Sequence, residues 1–87
     1  MTIKVELKGM LDRGEVREVE LPDNFVVSEQ DFMDDAIARK YMLMAIWHYG
    51  QNDFQPKNYR SLVMGDVILL YGRKFEVDMF GFKEYKN

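Results

Sequence analysis

The chain has 87 residues, 47% of them apolar and 14% aromatic, and a net charge of −3. That length makes one small domain with enough apolar side chain for a packed core, which excludes a disordered chain. Cysteine is absent, which excludes a disulfide scaffold, a thiolate metal site and a thiol nucleophile, and fits a reducing cytoplasm.

The charge is unevenly divided. Residues 1–54 carry six basic and eleven acidic side chains, giving −5, whereas residues 55–87 carry six basic and four acidic, giving +2. The acidic part argues against wrapping a phosphate backbone. No uncharged apolar stretch reaches the roughly 18 residues a spanning helix needs, so no membrane segment is expected. The first residues, with Lys4, Glu6 and Lys8, lack the apolar centre of a secretion signal.

Ile3, Val5 and Leu7 alternate with Lys4, Glu6 and Lys8, the pattern of a half-buried strand, and Gly9 ends it or marks a bulge. Leu11, Asp12, Arg13 and Gly14 supply turn chemistry, and a second strand is expected over Glu15 to Leu21. Val19 and Leu21 share a face, with Val16 out of phase, so a bulge is expected near Arg17–Glu18. The charges of Lys4, Lys8, Arg17, Glu18 and Glu20 would face water. Pro22, Asp23 and Asn24 close this hairpin.

Ser28 to Gly50 reads as one helix of about twenty residues, long against a mean near 11–12. Ser28 is a good N-cap, Glu29 and Asp31 suit the positive end of the helix dipole, and Gly50 is a natural stop in left-handed conformation. Phe32, Met33, Ala36, Ile37, Leu43, Met44 and Trp47 form an apolar stripe, flawed by Lys40 near its middle. Asp34 and Asp35 point about 100° apart and read as a solvated face. A second apolar stripe, Ala38, Met42, Ala45, Ile46 and Tyr49, lies on the other side. Either strands and loops of the same domain cover it, or it is a surface for a partner, a second copy or another protein. Met-rich surfaces adapt to varied partners.

Residues 50–58 are polar and read as a surface loop anchored by Phe54. Val67 to Tyr71 is an apolar run suited to a central strand. Gly72 and Arg73 turn the chain, and Phe75, Val77 and Met79 alternate with Lys74, Glu76 and Asp78 as a hairpin partner. After Gly81, residues 82–85 give a short last strand or tail. The fold class is therefore α+β: a mostly antiparallel sheet of four to five strands, ordered β-β-α-β-β, on one long helix, in a single domain over residues 1–87.

Between residues 58 and 82 stand Asn-Tyr-Arg-Ser-Leu-Val-Met-Gly-Asp-Val-Ile, then Gly72, then Phe80-Gly81-Phe82. This resembles a signature of small proteins of phages, plasmids and conjugative elements, including YodL-like domains, with Arg60, Ser61, Leu62, Gly65, Asp66, Val67, Gly81 and Phe82 matching. The resemblance implies a mobile-element origin and carries over no catalytic residue. Read physically, the same residues are structural. Gly65–Asp66 is a turn signal in which Asp66 can accept from nearby amides, and Arg60 has Asp66 or a helix acid as a partner.

Catalytic chemistry has little to work with. His48 is the single histidine, no nucleophile elbow surrounds Ser28 or Ser61, and no Gly-rich phosphate loop is present. No catalytic residue, metal or cofactor is expected, and His48 reads as a helix-end or exposed side chain. The expected function is non-enzymatic: an accessory protein of a phage or mobile element that binds a host or self protein stoichiometrically through Ala38, Met42, Ala45, Ile46 and Tyr49. Blocking a host defence or regulatory protein would be the action, and a homodimer is the simplest way to hide the stripe. The rival is a nucleic-acid-binding accessory protein using Arg60, Arg73, Lys74 and Lys83, with Lys57, Tyr59, Phe80 and Phe82 beside them.

Overall fold

The computed structural model describes residues 1–9, 13–51 and 60–85. Five strands form one antiparallel sheet: β1 (Thr2–Leu7), β2 (Glu15–Glu20), β3 (Val67–Leu70), β4 (Arg73–Asp78) and β5 (Gly81–Tyr85), in the spatial order β2-β1-β3-β4-β5. Among the described residues two α-helices, α1 (Glu29–Asp34) and α2 (Ala36–Tyr49), lie between β2 and β3 in the chain. The α+β class and the antiparallel sheet are as expected. The single long helix and the β-β-α-β-β order are not: the elements run β-β-α-α-β-β-β. The expected turn at Leu11–Asp12 and most of the expected loop over residues 50–58, Phe54 included, lie outside the described residues.

Period-two alternation sets the two faces of the sheet. Ile3, Val5, Val19, Ile68, Leu70, Phe75 and Val77 turn toward the helices and join Phe32, Met42, Leu43, Ala45 and Ile46 in one buried cluster. The opposite face pairs charges across strands, Lys4 with Glu18 and Glu76 with Lys83. That mixture suits a face turned to water.

β2 departs from expectation at its centre. Its pairing with β1 runs unbroken from Leu7↔Glu15 to Thr2↔Glu20, with no bulge at Arg17–Glu18. Strict alternation therefore sends Val16 outward, where it is exposed, and Arg17 inward, where it is buried. The Arg17 guanidinium donates to the Arg60 carbonyl at 2.7 Å, a neutral acceptor for a charge expected in solvent.

The β3–β4 hairpin turns at Tyr71–Gly72, one residue earlier than expected. Both have positive φ, 51° and 74°, the two-residue turn whose twist matches that of the strands. Tyr71 is an unusual residue there. Its ring packs edge-on against Phe32, with centroids 5.3 Å apart, and its hydroxyl donates to the Val27 carbonyl at 3.3 Å.

The helical segment breaks at Asp35. Ser28 caps α1 as expected, its hydroxyl oxygen accepting from the Asp31 amide at 3.1 Å. Asp35 then takes extended backbone angles, φ −118° and ψ 110°, and caps α2 by accepting from the amides of Ile37 at 2.9 Å and Ala38 at 3.3 Å. A short carboxylate that bonds nearby amides competes with helical hydrogen bonding, and here it wins. Arg39 seals the end of α1 by donating to the carbonyls of Phe32 at 2.9 Å and Met33 at 2.7 Å. Asp35 is thus a junction cap, and it stands exposed beside the exposed Asp34 as the solvated-face reading expects. Gly50 stops α2 in right-handed conformation, φ −80°, contrary to the left-handed stop expected. Space explains the glycine: a Cβ there would stand 2.4 Å from Leu62 Cδ1.

Candidate functional site

Burial divides α2 the opposite way from the sequence reading. Met42, Ala45 and Ile46, expected on an interaction surface, are buried in the core, while Ala38 and Tyr49 are half-buried. The Phe25 ring lies tilted against that of Tyr49, with centroids 5.2 Å apart. Met42 and Ile46 therefore offer no surface to a partner or a second copy. Of the stripe expected in the core, Phe32 and Leu43 are buried, but Met33, Ala36, Ile37, Met44 and Trp47 are exposed.

Two causes produce the exchange. Asp35 splits the segment into two helices, so one helical wheel cannot rank the faces of both. Moreover, α2 is apolar nearly all round, so periodicity alone cannot rank its faces. Lys40 was the available signal: the charge within the first stripe marks the side that faces water.

The outward face of α2 therefore carries Ile37, Lys40, Tyr41, Met44 and Trp47, with Ile37 82% and Met44 54% exposed. Lys40 is its one formal charge. Beside it, the β4–β5 turn projects Met79 and Phe80, and Phe80 is 95% exposed. Two adjoining depressions of about 340 and 370 Å³ run between α2 and β5 and share Lys40, Phe80, Gly81 and Phe82. The first reaches Ala36 and Leu43 and the second reaches Met44 and Trp47. Large apolar side chains gathered at a surface mark binding sites more often than chance exposure does.

The motif over residues 60–66 is a latch. Asp66 is fully buried and accepts from the amides of Lys8 at 3.0 Å, Gly9 at 2.9 Å and Val63 at 2.9 Å. Arg60 closes on it with two guanidinium nitrogens, at 2.7 and 2.8 Å. Burial alone would push this carboxyl up, but Arg60 and the amides of Val63 and Gly9 outweigh it and hold the group below the usual carboxylate range. The chain crosses itself closely here, since a Cβ on Gly9 would lie 2.6 Å from the Met64 carbonyl oxygen. Arg60 and Asp66 thus hold the end of β1 to the segment entering β3; the Arg60 pairing and the local Val63 amide bond are as read from the motif, whereas the link to Lys8 and Gly9 is not.

The cations named for nucleic acid are mostly occupied. Arg60 is bound to Asp66, Arg73 meets Glu84 at 2.6 Å, and Lys74 lies 3.7 Å from Glu6. Arg73 also sits over the rings of Phe32 and Phe75, on the helix side of the sheet. Lys83 belongs to the opposite face, so the four do not converge, while Lys57 and Tyr59 lie outside the described residues. His48 is exposed at the end of α2, its ring edge against Tyr49. Among the described residues no group of three His, Asp or Glu side chains stands close enough to hold a metal ion, and no helix is long and apolar enough to cross a membrane. No family model, curated protein or solved structure matches the chain.

Proposed function

We propose that this chain is a non-enzymatic binding module that docks stoichiometrically on another protein through the outward face of α2. The observation that carries the reading is the exposure of Ile37, Tyr41, Met44 and Trp47 on one helix face whose formal charge is Lys40 alone. Large aromatic and Met side chains of this kind supply the anchors of protein interfaces. The resemblance of residues 58–82 to small mobile-element proteins implies a phage or plasmid setting, in which the partner is a host defence or regulatory protein.

The test is affinity capture from the host with the wild-type chain and a folded Met44→Glu variant. The reading expects one protein retained in fixed ratio by the wild type and lost by the variant. Equal retention by both would reject it.

A further inference from the structure

The second edge of the sheet carries an inference independent of that docking face. Among the described residues β5 pairs with β4 on one side only. The two-residue turn Met79–Phe80 pairs Asp78 with Gly81, and hydrogen-bonded pairs then alternate along the ladder. Gly81, Lys83 and Tyr85 bond to β4, so the backbone groups of Phe82 and Glu84 point away from the sheet. An edge of this kind is a template for another strand.

We propose that two copies of this chain pair through β5, antiparallel and centred on Phe82, to make one continuous ten-stranded sheet. Charge selects this register. To keep the two helix layers on the same side of the joined sheet, residues of the same face must lie opposite each other. The outward backbone groups then allow three centres. Centring on Lys83 sets two ammonium groups face to face, and centring on Glu84 sets two carboxylates together; like charges directly opposite destabilise a ladder. Centring on Phe82 puts ring against ring, Lys83 opposite Gly81 of the other copy and Tyr85 opposite its Met79. Glu84 enters the interface with its charge already met by Arg73.

The same register answers for Phe80. It falls beside Glu84 of the other copy, on the helix side of the sheet. There the depression between Ala36, Leu43, Phe75 and Phe82 lies open. Each copy thus fills the other's trough with its Phe80 ring.

Because the chain contains no cysteine, single cysteines test the register directly. In the proposed dimer the two Phe82 Cα atoms lie about 5.5 Å apart, as in any hydrogen-bonded pair, and the two Lys83 Cα atoms about 8 Å apart. Under mild oxidation Phe82→Cys should cross-link readily and Lys83→Cys at least about tenfold more slowly, since a disulfide spans little more than 7 Å between Cα atoms. Sedimentation equilibrium should give twice the chain mass for the wild type and the single mass for Phe80→Asp, a change in a side chain that touches solvent. Faster cross-linking of Lys83→Cys, a monomeric wild type, or a dimeric Phe80→Asp would each overturn the proposal. The sedimentation pair decides it should Phe82→Cys fail to fold.

Discussion

At the scale of single residues, Asp66 has the most to lose by substitution. Its carboxylate is fully buried and meets three backbone amides and a guanidinium, so removing it strands buried donors as well as a cation. Asp66→Ala should lower the unfolding free energy by about 3 kcal/mol or more in urea titrations. The group also shapes acid sensitivity. Its folded value lies below its unfolded one, so its contribution is complete above the unfolded value of about 4 and is lost as pH falls through the lower folded value. Unfolding midpoints followed downward from pH 5 should fall more steeply for the wild type than for Asp66→Asn. Gly9→Ala should cost about 1–3 kcal/mol by the same assay, because the new Cβ would meet the Met64 carbonyl. The pairing of Arg60 with Asp66 and the turn at Gly65–Asp66 were readable in the sequence because those partners lie within six residues, whereas the bonds from Lys8 and Gly9 to Asp66 were not. Arg17 was not, since its carbonyl acceptor on Arg60 stands 43 residues away.

At the scale of elements, one cap decides how α1 and α2 sit. Asp35 ends one helix and starts the next, its extended backbone and its bonds from Ile37 and Ala38 distinguishing it from the helical Asp34. Asp35→Ala should cost about 1 kcal/mol of stability, the usual loss for an N-cap. The strands were legible because a single buried face forces alternation, as Ile3–Val5 and Phe75–Val77 show. The facing of α2 was not, because a helix apolar on both sides has no preferred side until the sheet is placed. Ile46 and Met44 make the comparison sharp. Ile46→Glu buries an unpaired carboxylate and should lower stability by about 3 kcal/mol or more. Met44→Glu should stay within about 0.5 kcal/mol of the wild type. Thermal melts followed by circular dichroism read both.

At the scale of the whole molecule, the sheet extends past what the two helices cover. The helices bury Ile3, Val5 and Val19 and leave Phe82 half-buried. That offset creates the trough, leaves β5 accessible, and sets Phe80 at its rim. The two edges differ in kind. β2 turns the buried Arg17 inward, where it donates to the Arg60 carbonyl; β5 turns in Glu84, whose charge Arg73 meets. Offset and edges alike depend on strand order, which patterning does not specify. The apolar excess noticed in the sequence is thus real, but it stands on the other side of α2 from where periodicity placed it.

Met42 and Met44, two residues apart on opposite sides of α2, give the most direct check. Methyl NMR of the methionines, with a soluble paramagnetic agent, should broaden the Met44 signal of the free chain and leave Met42 sharp. Adding the captured partner should restore Met44. A broadened Met42, or a Met44 signal that stays exposed in the complex, would contradict the assignment of the outward face as the binding surface.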